Sequence, residues 1–156
     1  MGLAKLSDPP QERVAMTQQI YVLNGPNLIL LGTREPEIYG STTLDDIHQQ
    51  MNTAAPTAEI TFRQTNSEGE LVDWVQDASK AAEILIINAG AYTHTSIALH
   101  DALRACDARI YEVHLSNPAA REEFRTTNYV APCATACIAG FGARGYLLAL
   151  DAALQE

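Results

Sequence analysis

Lysine is nearly missing from this sequence. Lys5 and Lys80 are the only two in 156 residues, so a mechanism built on a lysine nucleophile has almost nowhere to stand. Positive charge is scarce in general: ten Lys and Arg face nineteen Asp and Glu, a formal net charge of −9. That balance excludes the basic stripe that displaces counterions from nucleic acid and the polybasic patch of a membrane-surface module. No apolar run approaches the roughly 20 residues of a membrane-spanning helix, and residues 1–17 hold no apolar stretch of signal-peptide length. Cysteine is confined to Cys106, Cys133 and Cys137. An odd number without paired spacing is no secreted disulfide framework and fits a reducing, cytoplasmic setting. The C-x3-C pair Cys133/Cys137 has no second Cys or His pair beside it, so both read as small packing residues and no metal is expected. Three catalytic signatures are also absent: the G-x-S-x-G elbow, the G-x-x-x-x-G-K-[ST] phosphate loop and H-E-x-x-H.

What is present suits a globular domain: 47% hydrophobic and 19% charged residues. The length is that of one domain and is enough to bury a core without staples. Residues 1–18, with Asp8-Pro9-Pro10, read as a loose N-terminal extension, in which Met16 is a candidate alternative start. Residues 19–156 read as a single α/β domain.

From Gln19 onward, apolar runs alternate with helical patterns. Ile20–Leu23 is a short buried-strand candidate ended by the turn signal Asn24-Gly25-Pro26. Thr43-Leu44-Asp45-Asp46 resembles a capping box, followed by Leu44, Ile47, Met51 and Ala54 at helical spacing. Ala58 to Gln64 alternates as a strand. Ser67-Glu68-Gly69-Glu70 predicts a second capping box opening a helix with Leu71, Trp74, Val75 and Ala78 on one face. Ile84–Ile87 is the clearest buried strand. A helix is predicted over 95–105, a strand over 109–113, a short helix opened by Asn117-Pro118, a strand near 137–139 and a helix from about 143 onward. Five strands alternating with five helices, the strands continuously apolar, predict a parallel sheet covered on both faces. Ligands of such sheets sit beyond the carboxyl ends of the strands.

Three of those ends carry polar clusters. Asn24-Gly25-Pro26-Asn27 follows the first strand, Asn88 to Ser96 the third, and Glu112 to Asn117 the fourth. Taken singly, each reads as turns and helix caps. Together at one sheet edge, their Asn, His, Ser, Arg and Tyr side chains are suited to positioning and proton transfer. Gly140-Phe141-Gly142-Ala143-Arg144-Gly145 matches G-x-G-x-x-G. A dinucleotide fingerprint needs a further strand with an acid roughly 20 positions on, whereas eleven residues follow Gly145. A tight turn with close helix–strand packing is expected there instead. A phospho-receiver is excluded by Asn24-Gly25-Pro26-Asn27 where carboxylates belong, and by the lack of lysine after Lys80.

The motifs L-N-G-P-N-L-x-L-L-G-T-R-E-P-x-x-Y-G, I-I-N-A-G-A-Y-T-H-T-S-x-A-L-x-D-A and E-V-H-L-S-N-x-x-A-R-E-E-F-R resemble, in order and spacing, those of the type II 3-dehydroquinate dehydratases. The likeness runs from about Ile20 to Leu150. It implies a flavodoxin-like three-layer sandwich and a cofactor-free conversion of 3-dehydroquinate to 3-dehydroshikimate through an enolate, a step of the shikimate pathway. It also implies a homo-oligomer, a dodecamer built from trimers. The unrelated type I enzymes use a lysine Schiff base, for which Lys5 and Lys80 are poorly placed.

Removing a proton alpha to a carbonyl and expelling a beta hydroxyl needs a base, an enolate stabiliser and an acid. The resemblance assigns Tyr39 as base, which must ionise well below the ordinary value of about 10, and Arg34 as the cation promoting that ionisation. It assigns Asn27 to a water facing the enolate oxygen, His114 as the acid, and Glu112, two residues earlier on an extended segment, as its orienting charge. Substrate contacts are implied for Asn88, His94, Leu115, Ser116 and Arg125, the leucine and serine through backbone N–H groups and the arginine as a carboxylate fork. Asp101 matches a carboxylate supplied by a neighbouring subunit. Departures from the family pattern are Ile29, Ala119, Thr126, Thr127 and Asn128, none at a proton-transfer position and all bearing on affinity and on the surroundings of Arg125. Gly32 and Gly40 flank Thr33–Tyr39, a candidate lid. The competing reading is a flavodoxin-like binding module without catalysis.

Overall fold

The computed structural model describes residues 16–33 and 35–155; of Tyr39 it describes the backbone alone. Residues 1–15 of the expected extension, including Lys5, lie outside the described residues, as does Arg34.

Five apolar runs become strands: β1 (Gln19–Asn24), β2 (Glu59–Gln64), β3 (Ile84–Asn88), β4 (Arg109–His114) and β5 (Ala136–Ala139). All neighbours pair in parallel, in the order β2-β1-β3-β4-β5. This is the flavodoxin-like α/β arrangement, with its switch point between β1 and β3. The α-helices are α1 (Pro36–Tyr39), α2 (Leu44–Ala54), α3 (Glu68–Ala81), α4 (Ile97–Arg104) and α5 (Arg144–Leu154). Strand periodicity divides the core into two layers. Ile20, Val22, Ile84, Ile86, Tyr111 and Val113 face α2 and α5, where Ile47, Met51, Tyr146 and Leu150 pack on them. Tyr21, Leu23, Leu85, Ile87 and Ile110 face α3 and α4, with Leu71, Val75, Leu99 and Leu103. Central β3 is buried at every position, which is why its sequence is an uninterrupted apolar run.

Several boundaries differ from the sequence expectation. The helix predicted over 95–105 starts at Ile97, because Ser96 rather than Thr95 caps it and residues 90–94 form a 3-10 helix. No α-helix joins β4 to β5 among the described residues. Three 3-10 segments (Pro118–Ala120, Glu123–Thr126 and Ala131–Cys133) make that connection. The Thr43/Asp46 capping box is complete, with reciprocal bonds of 3.1 and 2.9 Å. The Ser67 box is not: Ser67 caps Glu70 N at 3.3 Å, but the Glu70 carboxylate accepts from the Thr65 hydroxyl instead of returning to Ser67. Nor are both expected packing cysteines buried, since Cys133 is half-buried and Cys137 is exposed on β5.

Two glycines set how close the layers come. A Cβ on Gly25, just past β1, would stand 2.2 Å from the Ala89 carbonyl oxygen, so the turns after β1 and β3 can touch only without a side chain there. A Cβ on Gly145 would meet Val113 Cγ1 at 3.3 Å, the close helix–strand packing expected of the last glycine motif.

Candidate active site

The turns after β1, β3 and β4 enclose an open cleft of about 720 Å³ across three adjacent strand ends. Asn27, Asn88, His94, His114, Leu115, Ser116 and Arg125 line it, seven of the eleven residues singled out from the sequence. Glu112 lies directly behind His114, fully buried. Asp101 is exposed on α4 and is not part of the lining. Arg34 and the Tyr39 side chain lie outside the described residues, and the Tyr39 backbone closes α1.

Each member is held by the element that ends there. Asn27 adopts the left-handed conformation (φ 67°), which asparagine tolerates better than most residues, and its N–H donates to Asn66 Oδ1 at 3.0 Å. This geometry turns the chain back into the 3-10 helix Leu28–Leu30 and leaves the Asn27 side chain at the cleft. Asn88 ends β3 with its amide fully oriented. Its Oδ1 accepts from Gly90 N at 3.2 Å and its Nδ2 donates to Tyr146 Oη at 3.0 Å. Tyr146 Oη donates onward to Asn24 Oδ1 at 2.6 Å, and Asn24 Nδ2 reaches the Arg63 carbonyl at 3.1 Å. A polar chain therefore runs beneath the cleft from β2 to α5. Burial of Tyr146 pushes its phenol well above its ordinary value, so the hydroxyl stays neutral and keeps its hydrogen.

His114 Nε2 and Glu112 Oε1 are 2.6 Å apart. Burial pushes the Glu112 carboxyl up, but the hydrogen bond and charge of His114, together with Asn128 and Cys137, outweigh it and hold the group below the ordinary carboxylate range. Cys137 pairs with Glu112 across the β4–β5 register, and its thiol is pushed up to about 12 by burial and the neighbouring negative charge. Glu112, His114 and Cys137 offer a carboxylate oxygen, a ring nitrogen and a thiol within 4.8 Å of one another, the one set among the described residues that could ligate a metal. Two of these groups already satisfy each other through the 2.6 Å bond. Sequence spacing directed attention to Cys133 with Cys137; in the fold, Cys137 meets Glu112, and Cys133 Sγ stands 3.4 Å from His100 Nδ1.

His94 Nδ1 lies 2.7 Å from the Thr127 carbonyl, so Nδ1 carries hydrogen and Nε2 is left for the cleft. Because residue 127 holds His94 through its backbone, the Thr127 departure does not disturb this contact. Arg125 is only partly free: its Nε donates to Glu122 Oε2 at 2.5 Å, and its guanidinium lies 5.0 Å from the Phe124 ring centroid. Arg121 reaches the same Glu122 oxygen at 3.7 Å and donates to Ser116 Oγ at 3.2 Å. The hydrogen bond from Arg125 holds the Glu122 carboxyl below the ordinary range, so two cationic side chains share one anion at the cleft wall.

Sequence reasoning passed over three participants. Arg121 lines the cleft and stood inside the quoted R-E-E-F-R motif, four residues before Arg125. Tyr146 orients Asn88 from 58 residues away and left no local signal. Asn128, a departure expected to bear on affinity and on the surroundings of Arg125, bonds Glu112 Oε1 through its amide at 2.8 Å, behind the histidine.

The family described as dehydroquinase class II matches residues 18–154. A 3-dehydroquinate dehydratase of Hyphomonas neptunium is 64% identical over 140 residues, covering 90% of this chain and 95% of that protein. One from Caulobacter vibrioides is 54% identical over 140 residues, covering 88% and 96%. The crystal structure of type II dehydroquinase from Propionibacterium acnes superposes with a TM-score of 0.85 at 43% identity, over 90% of this chain and 99% of that one.

Proposed function

This chain belongs to the class II dehydroquinases and catalyses the dehydration of 3-dehydroquinate, and we propose that the cleft across β1, β3 and β4 is where it does so. The observation that supports this placement is the buried Glu112 carboxylate 2.6 Å from His114 at the cleft wall. That contact fixes the orientation of the imidazole and sets a carboxylate behind the ring assigned to protonate the departing hydroxyl.

In the proposed sequence, the Tyr39 phenolate, with Arg34 as its cation, removes the proton alpha to the ketone. The enolate oxygen is stabilised by a water held at Asn27. Collapse of the enolate forms the ring double bond and breaks the beta C–O bond, and His114 protonates the hydroxyl as it leaves as water. The product is 3-dehydroshikimate. Asn88, His94 and the Leu115–Ser116 backbone orient the hydroxyls, and Arg125 pairs with the carboxylate by sharing it against Glu122. The route consumes no redox equivalent and needs neither metal nor organic cofactor. The catalytic unit is residues 19–156.

The same proposal includes a homo-oligomer, a dodecamer built from trimers. It is supported by Asp101, exposed and off the lining of its own cleft, and by exposed Ile97, Phe124 and Phe141 at 52, 63 and 62%. Sedimentation velocity at micromolar protein should give one dodecameric boundary; a monomer would remove this part. A cytoplasmic setting is supported by three unpaired thiols.

The enone product absorbs in the ultraviolet. Purified protein given 3-dehydroquinate should produce a steady absorbance rise, abolished by Tyr39→Phe with binding retained. Well-folded protein without that rise would refute the placement and the reaction together, whereas near-wild-type turnover by Tyr39→Phe would refute only the base.

A further inference from the structure

Glu112 is used unevenly. Oε1 receives two partners, His114 Nε2 at 2.6 Å and Asn128 Nδ2 at 2.8 Å. Oε2 is buried with no hydrogen-bond partner, and the Cys137 thiol belongs to the same cluster, within 4.8 Å. Whether the carboxylate can accept from His114 therefore turns on which hydrogens surround Oε1.

Asn128 decides this. Its Oδ1 accepts from Val130 N and Ala131 N, both at 2.8 Å. Turning the amide over would point an NH2 group at two backbone N–H donors, so its orientation follows from the backbone and not from a choice between alike atoms. The NH2 end must then face Glu112, and Oε1 must accept. With the Glu112 carboxyl held below its ordinary range, Oε1 is a carboxylate oxygen that only accepts, from Asn128 and from His114 alike, so the short contact to His114 is an Nε2–H donation. Nδ1 remains as the ring nitrogen that takes up and releases the catalytic proton.

We propose that Asn128 is a positioning residue for the dehydration: anchored by two backbone N–H groups, it holds Glu112 Oε1 as an acceptor and thereby fixes which nitrogen of His114 serves the cleft. This rests on the dehydratase reading above, in which His114 is the acid. The titratable groups around the carboxylate are His114 on its own strand, Cys137 on β5 and Cys133 ahead of β5.

Asn128→Asp is the informative change, because a carboxyl keeps the oxygen that Val130 and Ala131 require and replaces only the donor facing Glu112. Asn128→Ser supplies a hydroxyl donor in its place. Steady-state kinetics on the full chain should show kcat of Asn128→Asp down about tenfold near pH 8, with KM within about twofold and a melting temperature that is lowered at pH 8 and recovers as pH falls. The defect should shrink as pH falls, since the protonated new carboxyl can again donate to Oε1. Asn128→Ser should recover kcat to within about threefold of wild type. Wild-type kcat and pH profile in Asn128→Asp would overturn the proposal, as would equal losses in the Asp and Ser variants. A wild-type protein with no turnover would instead refute the dehydratase reading. The tautomer is tested without turnover by long-range 15N–1H NMR: hydrogen on His114 Nε2 is expected, and a neutral ring carrying it on Nδ1 would overturn the assignment.

Discussion

Glu112→Gln isolates the charge behind the acid. Glutamine has nearly the same shape, so its carbonyl oxygen can still accept from His114 Nε2 and Asn128 Nδ2, where Oε1 does so at 2.6 and 2.8 Å. What is lost is the negative charge beside a ring that must become positive. Hydrogen bonds involving an ionised partner contribute about 1.5–3 kcal/mol and neutral ones about 0.5–1.5. The difference is about 1–2 kcal/mol, and each 1.4 kcal/mol is about tenfold in rate. We therefore expect kcat to fall about 5- to 30-fold in the ultraviolet assay, with KM nearly unchanged. Stability should move by less than about 1 kcal/mol, because losing the ion pair is offset by no longer burying a charge. Unchanged kcat at every pH would refute the argument that the buried carboxylate supports the acid. A collapse in melting temperature without a kinetic defect in the surviving fold would show that Glu112 serves the sheet rather than the reaction.

Tyr146→Phe removes the hydroxyl linking Asn24 and Asn88 and leaves two buried amide groups short of a partner, so urea denaturation should show a loss of about 2–4 kcal/mol, with KM raised through misoriented Asn88. Thr43→Ala removes the Oγ1 acceptor of Asp46 N while leaving the bond from the residue 43 N–H to Asp46 Oδ2, and should cost about 1 kcal/mol by the same measurement. The Glu112 carboxyl is held below its unfolded value, so the stability it contributes is complete above that value and drains away as pH falls through the lower, folded one. Acid titration followed by circular dichroism should show this loss below about pH 4 in the wild type, and a shallower one in Glu112→Gln.

Features carried by local chemistry were readable in the chain. The Ile84–Ile87 run suits a strand buried on both faces of a parallel sheet, and Asn24, Asn88 and His114 each close a segment that reads as a strand from its sequence. Those ends alone mark the edge of the sheet where the cleft lies. Long-range partnerships were not readable. Asn128 bonds a carboxylate 16 residues earlier because the 3-10 segments between β4 and β5 fold back over it, and nothing in Thr127-Asn128-Tyr129 announces that. Cys137 meets Glu112 through strand register, which apolar periodicity does not specify between two β-strands. The Ser67 box failed for a related reason: Glu70 is taken by the hydroxyl of Thr65, the first residue after β2.

The hydroxyl of Tyr146 also imposes an order of events on a chain made from its N-terminus. The amides of Asn24 and Asn88 emerge early, on the two central strands, yet the group that joins them comes on the last helix. Until α5 docks, the floor of the cleft contains two desolvated side chains without their shared partner, a state that disfavours closing the sheet around them. A chain halted before Arg144 lacks both the Asn88 partner and the Tyr146, Ala149 and Leu150 side chains that cover Ile20, Val22, Ile84 and Ile86. Competence therefore arrives only with the final segment, which completes the cleft floor and one core layer together.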